Sequence, residues 1–159
     1  MSWVAPDNFH VTVKFLGAVE EARLPAVIDA LHAAVPRHAR FAIDVGGLGA
    51  FPSATRARVL WAGVVAGDGP LAALAATVDT ALASLGFPRE ARAFSPHITV
   101  GRVREARRAP ALTTLLSASQ TRSFGRVAVD EVTLMRSDLS PHGARYTPLV
   151  RVPLSDGRP

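Results

Sequence analysis

The chain has 159 residues and no cysteine, which excludes disulfides and thiolate metal sites. Lysine is nearly absent: Lys14 stands against 17 arginines, and the formal net charge is +5. An arginine-rich composition accounts for part of that balance, and the rest favours anionic partners such as RNA. Long apolar runs are missing. The longest candidate, Val59 to Ala66, is strand-sized and far short of a membrane span. No basic region followed by an apolar stretch opens the chain, so no signal peptide is read and a cytoplasmic location is expected. Gly46-Gly47-Leu48-Gly49 is not followed by the Gly-Lys-Ser/Thr of a phosphate loop, nor by a helix. It reads as a strand bend and turn.

What the chain does contain is a repetition. Asn8-Phe9-His10-Val11-Thr12-Val13-Lys14-Phe15-Leu16-Gly17 and Ser95-Pro96-His97-Ile98-Thr99-Val100-Gly101-Arg102 each carry His-x-Thr inside an apolar run. The two histidines lie 87 positions apart. With five His and ten Thr in the chain, about 0.3 such triplets are expected by chance, so one copy is weak evidence. Two copies are not: both have an apolar residue between His and Thr and a valine after it.

Both runs read as strands, rich in Val, Ile and Phe and bounded by Asn, Gly or Pro. Alternate side chains share a face. Phe9, Val11, Val13 and Phe15 are therefore expected to face a core, with His10, Thr12 and Lys14 turned the other way. In the second run Ile98 and Val100 face inward and His97, Thr99 and Gly101 outward. If the strands meet, two imidazoles and two hydroxyls converge. That set suits phosphoester cleavage without a metal. One imidazole takes a proton from the attacking water and the other protonates the leaving oxygen, both within reach near neutral pH. The threonine hydroxyls can bond the non-bridging oxygens. No Asp, Glu or Cys lies near the polar face of either strand, which argues against a metal site built from His10 and His97. An RNA-binding module without turnover fits the charge but leaves the matched histidines without a purpose.

Elsewhere, helical spacing of Leu24, Val27, Ile28, Leu31 and Val35 predicts a helix ending before Pro36. Leu71 to Leu85 predicts a second helix, capped by Gly86. Pro110 to Ala118 predicts a short third. Strands are expected over 41–45, 58–65, 92–103, 126–136 and 145–154, the last two joined by a loop over 137–143. Trp61 reads as core, His32 and His38 as solvated surface, His142 as a loop histidine, and the basic run over 104–108 as a solvated face. Motif strand, helix, strand, strand occurs twice in the same order, an internal repeat.

"NFHVTVKFLG", "SPHITVGRV" and the ending "LMRSDLSPHGARYTPL" resemble the two-histidine phosphoesterases, and among them the RNA 2′,3′-cyclic phosphodiesterases long labelled 2′-5′ RNA ligases. The likeness runs from about Trp3 to Leu154. It implies an α+β fold of two pseudo-symmetric lobes, about 1–66 and 67–154 of a single domain 1–159. Each lobe would be a small antiparallel sheet with outer helices, with a groove between the two. It implies His10 as proton donor, His97 as acceptor, and Thr12 and Thr99 as phosphate ligands. It also implies a 2′-phosphate product, reversible 2′-5′ joining, and no cofactor. Arg102 matches an arginine that often follows the second motif. Strict alternation puts it away from His97 unless the strand bulges or ends near Gly101. Relatives with the same motifs act on 2′-5′ oligonucleotides or ADP-ribose cyclic phosphate. The family has a further strand and helix ahead of its first motif. Their absence here leads to the expectation that a neighbouring chain covers the gap or that the sequence starts short.

Overall fold

The structure, a computed structural model, describes residues 1–104 and 109–157. The expected basic run over 104–108 therefore lies outside the described residues beyond Arg104. The elements in order are β1 (Ser2–Trp3), α1 (Leu24–Ala34), β2 (Phe41–Phe51), β3 (Val59–Ala66), α2 (Asp68–Ala83), β4 (His97–Arg102), α3 (Pro110–Ala118), β5 (Ser123–Val129), β6 (Glu131–Ser140) and β7 (Gly143–Pro153). The class is α+β. One sheet runs β1-β4-β3-β2-β5, and β6 pairs with β7 in a second. Among the described residues no helix is long and apolar enough to cross a membrane.

The chain divides into two compact units. The first holds Met1–Thr12, Ala42–Leu71 and Ser95–Val127, and the second holds Val13–Phe41, Ala72–Phe94 and Ala128–Pro159. Neither follows the stretches 1–66 and 67–154. The reason is strand pairing: β4, from the second half of the chain, lies antiparallel to β3, from the first.

In the first unit, Leu60 and Ala62 of β3 and Leu48 and Ala50 of β2 share one face through the pairs Leu48↔Ala62 and Ala50↔Leu60. Helix α3 starts on Pro110, whose missing N–H costs nothing at a helix start. It lays Leu112 and Leu116, one turn apart, onto that face beside Ala57, Leu60 and Val103. Each fully buried leucine here contributes about 1.5–3 kcal/mol. The opposite face carries Gly49, Phe51, Val59, Trp61 and Gly63.

In the second unit, Val27, Leu31 and Val35 interlock with Leu74, Val78 and Leu82, all at helical spacing. Phe87, Val152 and Leu154 complete that core. Helix α2 is closed by Gly86 at φ 93°, a conformation that favours glycine.

Several strand expectations need correction. The run 46–49, expected as a bend and turn, lies inside β2, with a register shift between Gly46 and Leu48, and the strand expected from 92 begins at His97. The run Phe9 to Leu16 is not a strand; it makes one bridge, Val11 to Ile98. β1 already lies on the same edge of β4, opposite Gly101 and Arg102, and the turn Pro6–Asn8 interrupts the chain before it returns there. Phe9 and Phe15 are consequently 45% and 77% exposed, not core. The strand expected over 126–136 is two strands, because the chain leaves one sheet and enters the other at Asp130. The loop expected over 137–143 shrinks to Pro141-His142, since Ser140 pairs with Gly143.

Candidate active site

The two motif histidines are held in the same way. His10 Nδ1 lies 2.7 Å from the carbonyl oxygen of Asn8, and His97 Nδ1 lies 2.7 Å from that of Ser95. A carbonyl only accepts, so each ring donates from Nδ1, and a neutral ring then carries its lone pair on Nε2. The local cause is readable. The residue before His10, Phe9, is extended at φ −66° and ψ 128°. The residue before His97 is Pro96, whose ring fixes φ near −65°. Different residues thus bring the carbonyl at position i−2 back to each imidazole.

The bridge Val11↔Ile98 is antiparallel. Its register sets His10 opposite Thr99 and Thr12 opposite His97, with all four on one face. The histidines stand on the diagonal, a separation of about 7–8 Å in such a pairing. Val11 and Ile98 turn the other way. All four polar residues belong to the first unit.

Arg102 joins them. In the β3–β4 pairing Leu60 faces Gly101 and Trp61 faces Thr99, which leaves Val100 as an extra residue, a bulge. The bulge resets the alternation. Arg102, opposite Val59, therefore shares a face with Thr99, opposite Trp61, and His97, opposite Gly63. The bulge lies one residue earlier than Gly101.

A sequence model of the 2′-5′ RNA ligase superfamily matches residues 4–141. The chain belongs to that superfamily. An RNA 2′,3′-cyclic phosphodiesterase of Aeropyrum pernix is 39% identical over 152 residues, which span 96% of this chain and 85% of that protein. One from Aquifex aeolicus is 38% identical, spanning 91% of this chain and 77% of its own length. Among solved structures, TT0787 of Thermus thermophilus superposes with a TM-score of 0.80 at 28% identity, covering 99% of this chain and 84% of that one. Escherichia coli LigT complexed with 3′-AMP gives 0.74 at 30% identity, covering 96% and 80%.

In this member of the superfamily, aromatic rings border the second histidine. Phe51 meets His97 edge-on, with centroids 5.1 Å apart and planes at 81°. Trp61 lies 5.4 Å from Phe51 and 6.3 Å from His97. Trp61, which reads as core from sequence, instead stands on the histidine face. Its indole lies over Gly49, directly across the strand pair, where any Cβ would collide with the ring. Sequence alone does not single out Phe51. The signal that finds it is the β2–β3 register, which puts Phe51 opposite Val59 and so on the face of Arg102.

Lys14 is not part of this face. Its side chain, 3% exposed, lies in the second unit, where the ammonium donates to Asp79 Oδ1 at 2.5 Å and to the Pro88 carbonyl at 3.0 Å. Hydrogen bonding from Lys14 holds the Asp79 carboxyl below its ordinary value; partial burial opposes the shift, and the Glu90 N–H adds to it. His38 is not solvated either, since its Nε2 lies 2.7 Å from Thr77 Oγ1. His32 is exposed, and His142 sits in the tight turn of the hairpin.

Proposed function

We propose that this protein hydrolyses RNA 2′,3′-cyclic phosphate ends to 2′-phosphomonoesters without a metal, with His10 and His97 as the acid–base pair. The observation that carries the reading is the antiparallel bridge Val11↔Ile98, whose register brings His10, Thr99, Thr12 and His97 to one face, with both imidazoles held as Nδ1 donors. A phosphate between the two rings has a lone-pair nitrogen on one side. On the other it has a ring that, when protonated, can donate.

His97 takes the proton of a water that attacks phosphorus. The P–O3′ bond breaks, and His10 gives its proton to the departing 3′-oxygen. The phosphate stays on O2′. This assignment follows the family likeness. The hydroxyls of Thr12 and Thr99 donate to the non-bridging oxygens, where charge builds in the transition state. Arg102 adds a guanidinium on the same face, suited to a two-point contact with phosphate. Phe51 and Trp61 offer ring surface for a base. With a 5′-hydroxyl in place of water the same displacement breaks P–O3′ and forms a 2′-5′ linkage, and its reversal returns the cyclic phosphate and the 5′-hydroxyl. A cytoplasmic setting belongs to the same reading.

The test is hydrolysis of a nucleoside 2′,3′-cyclic phosphate in EDTA, with product isomers resolved. Metal-independent release of the 2′-phosphate, lost in His10→Ala and His97→Ala, is expected. A folded protein that releases the 3′-phosphate, or that turns over only a 2′-5′ oligonucleotide or ADP-ribose cyclic phosphate, would redirect the assignment to that chemistry.

A further inference from the structure

The charge of this chain is not evenly spread. The first unit holds eight arginines against four carboxylates, and the second ten basic residues against nine acidic ones. Four units of the net +5 thus belong to the unit that carries both histidines.

Within the first unit the charge is directional. The start of β2 is neutralised, because Arg126 Nε donates to Asp44 Oδ1 at 3.0 Å. At the other end of the sheet, residues 51–60 and 95–104 contain four arginines and no carboxylate. These are Arg56, Arg58, Arg102 and Arg104, all exposed. Among the described residues no carboxylate pairs with any of them. The backbone gathers them. Arg58 N–H donates to the Phe51 carbonyl at 2.8 Å, and Val103 N–H donates to the Arg58 carbonyl at 2.8 Å. Val103 sits between Arg102 and Arg104, so three arginines meet at one strand end beside Phe51. That end is about 15 Å along β4 from His97.

We propose that Arg56, Arg58 and Arg104 form a track for the phosphates of the RNA strand on the 5′ side of the cyclic end. The inference rests on the cyclic phosphodiesterase reading above and adds a direction to it. The reacting phosphate lies at the histidines, the terminal base lies by Phe51, and the strand runs along β4 toward Val103. A mononucleotide fills only the first part of this path. An oligonucleotide also reaches the arginines, each of which releases counterions when it meets a phosphate. The consequence is a preference for chains over mononucleotides that fades with salt.

The experiment compares adenosine 2′,3′-cyclic phosphate with a ribopentamer ending in the same group, over a series of NaCl concentrations. It uses the wild type and the triple variant Arg56→Gln, Arg58→Gln, Arg104→Gln. Pentamer binding is also read by fluorescence anisotropy, using a pentamer with a 3′-phosphate end. The wild type is expected to favour the pentamer by tenfold or more in kcat/KM at low salt. The triple variant is expected to lose that preference through KM while its rate on the mononucleotide stays unchanged. The slope of log affinity against log salt should become shallower by about 2, at roughly 0.7 per single-strand phosphate contact. An unchanged slope with retained pentamer preference would overturn the track. If folded wild type turned over neither substrate, the enzymatic reading would fail, and the anisotropy slopes would still support or overturn the track by themselves.

Discussion

Val11 pairs with Ile98 across an antiparallel bridge, and this one pair sets the register of the two motifs. A shift of one residue would turn His10 and Thr12 to the opposite face. That register gives the threonines equivalent places, each opposite the other motif's histidine. Thr12→Val and Thr99→Val keep side-chain shape and remove the donor. Each is expected to lower kcat/KM by roughly 10- to 100-fold, at or below the usual effect of deleting one transition-state donor. Steady-state kinetics with circular dichroism as a folding control decides it. Rates within twofold of wild type would mean that the hydroxyls do not touch the phosphate.

An acid and a base drawn from the same residue type predict a rate that falls on both sides of an optimum. One imidazole must be protonated and the other neutral. The pH dependence of kcat/KM should be bell-shaped. Removing either histidine should lower the rate by about 10²- to 10⁴-fold, the usual range for one general acid or base. In the proposed mechanism the two act as a unit, so the double variant should be little worse than the single ones. Strictly multiplicative losses would contradict paired action.

Arg102 tests the bulge at Val100. Because the bulge restores Arg102 to the face of His97 and Thr99, Arg102→Ala is expected to raise KM about tenfold and to weaken competitive inhibition by inorganic phosphate. Arg102→Lys keeps the charge and loses the planar fork, so it should recover only part of that loss. Full recovery by lysine would indicate a point-charge role instead of a two-point contact.

The motifs and the helices are legible because their signals are local. Helix α3 begins and ends where its proline and apolar spacing put it, at Pro110 and Ala118. The His-x-Thr pairs announce themselves through their repetition. What sequence does not supply is partner choice. Alternation within a strand says which side chains share a face, but not which strand lies beside it. Val11 holds a single bridge instead of a full strand because β1 lies along the same edge of β4. Lys14 alternates with His10 and Thr12, yet its ammonium bonds Asp79 and the Pro88 carbonyl, more than sixty residues away. Trp61 reads as core for the same reason: its true place becomes readable only through the β2 and β4 registers.

Gly49 has a specific task under that indole. A methyl group there would collide with Trp61. Gly49→Ala is expected to cost about 1–3 kcal/mol, the usual range for overpacking. It should also lower activity, because Trp61 would press on Phe51 and His97. A second change, Trp61→Leu, should restore much of the stability but not the activity. Urea melts of the single and double variants read the first effect. An equal loss with and without Trp61 would show that the glycine matters for its backbone alone.

The Lys14–Asp79 pair predicts how the second unit answers acid. The folded Asp79 carboxyl is held below its ordinary value of 3.8, mainly by the hydrogen bond from Lys14. In the unfolded chain it titrates near that ordinary value, so between the two values the unfolded state binds more protons. Stability therefore rises with pH in that window. The contribution of the pair is fully present above about pH 4–5 and is lost as pH falls through the folded value. Asp79→Asn should lower Tm at neutral pH, because the Lys14 ammonium, on a side chain 3% exposed, loses its nearest counter-charge. Glu90, 3.7 Å away and half exposed, replaces it only in part. The gap between wild type and Asp79→Asn should narrow below about pH 4, where the carboxyl of the unfolded chain takes up its proton before that of the folded one. Thermal melts from about pH 7 to about pH 2.5 give the comparison. A gap of constant size across that range would assign the loss to packing instead of charge.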